Sequence, residues 1–246
     1  MHGTQKFWKL DDLVNERKVL LWVIRAGILM PFAVALISCT IGHANLTKSI
    51  SAYYFSVSRD LFVMTLTAAG LLLIAYPGRE SAVPQLRHSR CEFWVSNLAG
   101  IAAFLIPLFP MTTDQALAQL APSPTPAPNF IELTVPQHGT LHLIAAAIFF
   151  GLAMVLAFLF SRREARERAG QHFYIYLGEQ IVSGIGQGWN SAAGRWHNIS
   201  GLAILVGLAW AALADDIYLP EIVMLLGFCS AWTARMFDKH PLYLKN

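Results

Sequence analysis

Residues 139–160 read GTLHLIAAAIFFGLAMVLAFLF, with no charged side chain and a single histidine, His142. A helix that crosses the hydrocarbon core of a bilayer needs about 20 predominantly apolar residues. This stretch therefore predicts a membrane-spanning helix. It decides the fold class, because an apolar run of this length is too long for an ordinary strand and too uniform for the surface of a soluble protein.

Further apolar runs of the same kind lie on both sides of this stretch. The chain has 246 residues, of which 55% are hydrophobic and only 13% are charged. So few charges cannot form the polar shell of a soluble domain, which disfavours a soluble enzyme and a nucleic-acid binder. We predict one all-α polytopic membrane domain over residues 1–246 with six transmembrane helices, at approximately 19–41, 61–76, 93–109, 139–160, 199–214 and 217–237.

The distribution of lysine and arginine predicts an orientation for these helices. Basic residues in short loops mark the cytoplasmic side of a membrane. They are dense before the first run and directly after the fourth, whereas residues 111–138 contain none. The alternation predicts that both the N-terminus and the C-terminus are cytoplasmic. It also predicts a multi-pass plasma membrane protein, located in the inner membrane if the source is bacterial.

Two segments after the fourth run are predicted to lie outside the bilayer core. Residues 161–169 read SRREARERA and should continue the fourth helix as a solvated extension, in which Glu164 and Arg168 stand at i, i+4. Residues 171–198 combine tryptophan and tyrosine with several glycines, around an apolar stretch that is too short to span. We interpret them as an interfacial segment on the cytoplasmic leaflet, where tryptophan and tyrosine are favoured.

The predicted topology gathers polar side chains on the outer side. Ionisable residues at membrane depth are costly and are functional hypotheses by default. The acidic residues also have a structural interpretation, because an acid in the first turn of a helix is favoured by the helix dipole. The candidates for lining or covering an outward-facing cleft are Ser51, Tyr53, Tyr54, Asp60, His142 and Glu221.

The pair His138 and His142 raises the question of a metal site. Residues at i and i+4 share one face of a helix, so both imidazoles could bind one zinc ion, with Asp60 or His43 as a third ligand. Two histidines at a helix start also serve as hydrogen-bonding residues, and that is the interpretation we favour. The three cysteines stand far apart, without a CxxC pair, and indicate neither a disulfide framework nor a cysteine metal site. We expect no cofactor, and zinc is the only metal that the pattern suggests.

The order of these motifs resembles a six-span family that includes the damage-regulated autophagy modulators, the FGF-receptor-activating protein, the Sfk-type proteins and related bacterial membrane proteins. The similarity lies in Ser49-Ile50-Ser51 before an acidic start of the second span, and in a histidine that opens the fourth span. It continues with Asn97 near small residues and with a glutamate that opens the last span. The resemblance implies a role in lipid organisation, trafficking or remodelling of lipid anchors.

A second resemblance points to an enzyme. The intramembrane zinc hydrolases of the alkaline ceramidase, progestin-receptor and hemolysin III superfamily combine a Ser-x-x-x-His element and an aspartate with a late HxxxH pair. In this chain Ser51 is followed at the fourth position by Phe55, and the HxxxH pair lies in the fourth predicted span. Both departures count against a zinc site.

Two functions are therefore expected from the sequence, and we favour the first. The first is a non-enzymatic, lipid-handling or membrane-organising protein with an outward-facing polar cleft, whose partners are membrane lipids and not nucleic acid. The alternative is a metal-dependent lipid hydrolase of the ceramidase or hemolysin III type. Whether the chain forms a homo-oligomer or has a protein partner stays open. A transporter is disfavoured, because the spans show no pair of broken helices in matching halves.

Overall fold

The computed structural model describes residues 8–43, 45–76, 90–111, 135–169 and 191–237, and all regular secondary structure in these ranges is helical. A 3₁₀ helix, Ile50–Phe55, lies in the loop between the first two α-helices. No strand occurs among the described residues, so the predicted all-α class is confirmed. The α-helices are α1 (Trp8–Thr40), α2 (Arg59–Ala75), α3 (Arg90–Leu108), α4 (Val135–Ala169), α5 (Ala192–Leu213) and α6 (Tyr218–Phe237).

Four helical segments are long and apolar enough to cross a membrane. The other two α-helices are less clear-cut, because α2 has 17 residues and α6 carries an acid in its first turn and an arginine in its last. Each of the six predicted runs coincides with one α-helix, although α5 begins seven residues before the predicted start of the fifth run. The four segments indicate a membrane protein; they are Leu21–Thr40, Cys91–Leu108, Gly139–Glu164 and Ala192–Leu213.

The predicted interfacial segment, residues 171–198, falls mostly outside the described residues. The structure resumes at Ser191, whose side chain caps the start of α5 by accepting a hydrogen bond from the Gly194 amide. The last residues of the predicted segment therefore form the first turns of α5.

The helices pack mainly against their neighbours in sequence. Contacts join α1 to α2, α2 to α3, α3 to α4, α4 to α5 and α5 to α6, and α6 returns to pack against α1. The bundle is therefore a closed ring of antiparallel neighbours, and α4 also touches α6 across it. One consequence is that the start of α4, the end of α5 and the start of α6 meet at one end of the bundle. We call this the Glu221 end and the opposite one the Glu92 end.

Small residues allow α2 and α3 to approach closely. A methyl group on Gly100 would lie 2.7 Å from the Gly70 carbonyl oxygen, so both positions need glycine. Ala99 and Ala103 are completely buried on the same helix. Ser96 adds a hydrogen bond between the helices by donating to the Leu73 carbonyl at 2.5 Å. Close approach of this kind is how helices associate where surrounding lipid is as apolar as the side chains.

At the Glu92 end, the extension of α4 differs from the sequence prediction. The helix does continue to Ala169, but Arg162, Arg163 and Glu164 are buried and not solvated. For Arg163 the reason is an ion pair, because its Nη1 lies 3.0 Å from a carboxylate oxygen of Glu92 on α3, and both side chains are almost fully buried. A buried charge is costly unless it is paired and hydrogen-bonded, so the two residues depend on each other.

Candidate functional site

A cavity with a volume of about 580 Å³ lies at the Glu221 end, among α4, α5 and α6. Ligand pockets in proteins commonly measure roughly 300–1,000 Å³, so this cavity is large enough for a small molecule or part of a lipid. Most of its wall is apolar, and α4 and α5 supply much of it, including Leu143, Ala147, Leu208 and Ala211. Its polar side chains are Ser49, Thr140, His142 and Glu221.

Glu221 connects the cavity wall to the α1–α2 loop (residues 41–58). One carboxylate oxygen accepts hydrogen bonds from the Ile50 amide at 2.5 Å and from the Ser49 hydroxyl at 3.1 Å. The other oxygen accepts from the same hydroxyl at 2.9 Å. Next to it the Ile217 amide donates to the Lys48 carbonyl at 2.9 Å. Glu221 stands in the first turn of α6, where the helix dipole also favours an anion.

The loop is held at its other end by three serines. The Ser38 hydroxyl on α1 donates to Ser56 at 2.8 Å, and the hydroxyl oxygens of Ser38 and Ser58 lie 2.7 Å apart. Between the two anchors Tyr53 is completely buried, and its ring packs edge-on against Tyr218 with centroids 6.3 Å apart. The 3₁₀ helix is therefore a fixed part of the bundle, held between α1 and α6.

His142 stabilises the end of α3. Its Nδ1 atom lies 3.1 Å from the Ile106 carbonyl oxygen and 3.0 Å from that of Phe109. Proline has no amide hydrogen, so Pro110 cannot supply the donor that the Ile106 carbonyl would otherwise receive four residues later in the helix. Both partners of Nδ1 are acceptors, which assigns the proton of the neutral ring to Nδ1. Nε2 of the neutral ring then carries the lone pair.

The predicted cleft residues separate into two groups. The first group lines the cavity: His142 lies near the start of α4 and Glu221 near the start of α6. Ser51, Tyr53 and Tyr54 lie in the 3₁₀ helix and are buried there, outside the described lining of the cavity. Burial raises the pKa of the Tyr54 hydroxyl above its ordinary value, with a smaller opposing effect of the nearby Arg59. These three residues support the cavity wall and do not form it.

Asp60 lies away from the other candidates. It occupies the first turn of α2, and its side chain is 84% exposed and 3.5 Å from the Arg59 guanidinium. It is not among the described residues that line the cavity. The helix order explains this position, because α2 packs against α1 and α3 while the cavity lies among α4, α5 and α6. Residue pattern alone does not separate these two faces of the Glu221 end, because only the packing of the helices distinguishes them.

The metal hypothesis concerns residues that the structure covers only in part. Both histidines of the HxxxH pair fall in α4, but the side chain of His138 lies outside the described residues. Among the described residues no group of three histidine, cysteine, aspartate or glutamate side chains could hold a metal ion. Neither Asp60 nor His43, the two alternatives for the third ligand, is among the described residues that line the cavity with His142.

Sequence reasoning missed the roles of several residues at the Glu221 end. Ser49 was named as part of the first-loop motif but not for its contacts: it caps the 3₁₀ helix, accepting from the Ser51 amide, while it donates to Glu221. Thr140 and the serine cluster were also missed. The one available signal was Pro110, since a proline near a helix end predicts an unpaired carbonyl that needs a donor from elsewhere.

Comparison of the chain with protein-family models, curated proteins and solved structures found no match. The kind of ligand that the cavity could hold is therefore inferred from the residues that line it. A carboxylate and an imidazole belong to an otherwise mainly apolar wall. This combination suits an amphiphile, with a polar group at the edge and a hydrocarbon chain along the wall.

Replacing Glu221 with alanine should release the first half of the α1–α2 loop. Hydrogen bonds to a charged acceptor contribute about 1.5–3 kcal/mol each. We therefore expect amide hydrogen exchange in residues 48–56 to accelerate about tenfold or more. Asp60→Ala is the matched control, because it removes an exposed acid close to the same loop. Equal exchange rates in the two variants would show that Glu221 does not hold the loop.

Replacing His142 with alanine should remove the hydrogen bonding of Nδ1 to the carbonyls of Ile106 and Phe109 at the end of α3. The expected cost is about 1–3 kcal/mol in the free energy of unfolding, measured in mixed micelles. His142→Asn should recover most of that loss, because its amide nitrogen can donate from near the position of Nδ1. A stability of His142→Ala equal to that of the wild type would contradict the capping role.

Proposed function

We propose that this chain is a six-span membrane protein that binds an amphiphilic lipid in the cavity at the Glu221 end, as a lipid-handling or membrane-organising protein. The observation that carries the proposal is the cavity itself. It is about 580 Å³ in volume, its wall is mainly apolar, and its ionisable described side chains are His142 and Glu221. A lipid offers the same two kinds of surface in one molecule.

Binding is favoured over catalysis by what the two ionisable groups already do. Glu221 receives hydrogen bonds from Ser49 and Ile50, and His142 Nδ1 is engaged by two main-chain carbonyls. The Ser49 hydroxyl that donates to Glu221 also accepts from the Ser51 amide as the cap of the 3₁₀ helix, so the described hydrogen bonds of this serine are those of a structural residue. The resemblance to the six-span family points in the same direction, because its members are linked to lipid organisation. For the alternative, a zinc-dependent lipid hydrolase, the described residues supply no third ligand.

The topology belongs to the same proposal. Six spans require α2 and α6 to cross the membrane with the four longer segments, and the antiparallel ring of helices supports this. The Glu221 end would then face outward. The Glu92 end, which carries Arg163 and Arg235, would face the cytoplasm together with both termini.

The orientation can be tested with single cysteines in a background from which the three native cysteines are removed. Asp216→Cys lies in the exposed turn between α5 and α6, and Lys245→Cys lies near the C-terminus. We expect a membrane-impermeant maleimide to label Asp216→Cys in intact cells and Lys245→Cys only after permeabilisation. Labelling of both positions from the same side would overturn the six-span topology.

Lipid binding is tested by filling the cavity. Ala211 lines it, whereas Ala209 is an exposed residue on the same helix outside the described lining. We expect wild-type protein and Ala209→Trp to retain lipid in native mass spectrometry from mild detergent, and Ala211→Trp to lose it, because the indole occupies the space of a lipid chain. Equal retention by the two variants, or no retention by the wild type, would refute the proposal.

A further inference from the structure

We infer that the cavity selects lipids whose headgroup carries a primary ammonium group. This inference rests on the proposed lipid-binding function and adds the chemical class of the headgroup. It follows from three properties of the described cavity wall: its polar side chains offer hydrogen-bond acceptors, its charge is negative, and its apolar part extends along α4 to the outer surface of the bundle.

The first property is spare acceptor capacity on Glu221. A carboxylate offers about four lone-pair positions on its two oxygens. One oxygen of Glu221 accepts from both Ile50 and Ser49, whereas the other accepts only from Ser49. The second oxygen therefore retains capacity for a further donor, and the side chain lies in the cavity wall where a ligand can reach it.

His142 supplies a second acceptor. The two carbonyls of Ile106 and Phe109 assign the ring proton to Nδ1, so Nε2 of the neutral ring carries a lone pair. Two acceptors in the wall of one cavity call for a ligand with several donors. A primary ammonium has three N–H donors, whereas a quaternary ammonium has none.

Charge excludes the opposite kind of headgroup. None of the described residues that line the cavity is lysine or arginine. The carboxylate of Glu221 therefore has no basic partner among these lining residues. A headgroup whose only charge is its phosphate, as in phosphatidylglycerol, would be repelled. A cationic group close to the carboxylate instead forms a charge-assisted hydrogen bond, which is stronger than a neutral one.

The apolar wall provides for the hydrocarbon chain. Leu143 lines the cavity and is 62% exposed on the outer surface of α4, so the wall continues to the lipid-facing side of the bundle. A lipid can therefore place its headgroup at Glu221 and His142 while its chains extend along α4 toward the membrane. This arrangement favours a membrane lipid over a free amine.

The test compares three lipids with identical acyl chains in nanodiscs of equal molar composition: phosphatidylethanolamine, phosphatidylcholine and phosphatidylglycerol. We expect native mass spectrometry to show wild-type protein with phosphatidylethanolamine about tenfold or more above the other two, since charge-assisted hydrogen bonds have that effect on affinity. Equal retention of all three lipids, or a preference for either competitor, would overturn the inference.

Variants separate the effect of the Glu221 charge on lipid preference from the effect of the position of the α1–α2 loop. Glu221→Gln should reduce the preference about tenfold, and His142→Asn should reduce it less while keeping the cap on α3. Ser56→Ala loosens the other anchor of the loop and leaves the carboxylate in place, so its preference should match that of the wild type. A preference lost equally in Ser56→Ala and Glu221→Gln would assign the selectivity to loop position and contradict the inference.

The two levels of the proposal fail differently. Lipid retained without headgroup preference would refute the ammonium selectivity and leave lipid binding intact. No lipid in the wild type, with Ala211→Trp unchanged from it, would refute the proposed function itself. If Glu221→Gln does not fold, the ranking of the three lipids on the wild type and the His142→Asn variant still decide the matter.

Discussion

The hydrogen bonds from Ser49 and the Ile50 amide to the Glu221 carboxylate hold the Glu221 end of the molecule together. They fix the start of the 3₁₀ helix against α6, and the serine cluster around Ser38 fixes its end against α1. With both anchors in place, the loop is held against α1 and α6 and contributes Ser49 to the cavity wall. The same carboxylate stands in the cavity wall, so one side chain serves both the fold and the candidate binding site.

A single constraint accounts for the polar residues at both ends of the bundle. Within a membrane there is no water to satisfy a polar group, so each one needs a partner in the protein. At the Glu92 end, Arg163 and Glu92 form an ion pair in which both side chains are almost fully buried. At the Glu221 end, His142 satisfies carbonyls on α3 and Glu221 accepts from the loop. The two ends differ because His142 and Glu221 also line a cavity.

The sequence was a good guide to the helices and a partial one to the site. Apolar run length predicts each helix, because about 20 residues are needed to cross the bilayer core. His142 and Glu221 were found by the rule that ionisable groups at membrane depth matter. Asp60 met the same rule but lies on the exposed start of α2, since only packing decides which face a helix presents. Ser49 was named in the first-loop motif, but its role was not predictable, because it depends on a contact 172 residues away in the chain.

The most direct test is a structure of the full chain in lipid nanodiscs at a resolution that shows bound lipid. We expect elongated density in the cavity, with its polar end within about 3 Å of the Glu221 carboxylate and its tail along α4 beside Leu143. A cavity that holds only water, or a compact metal peak bound by His142 with no lipid present, would contradict lipid binding at this site.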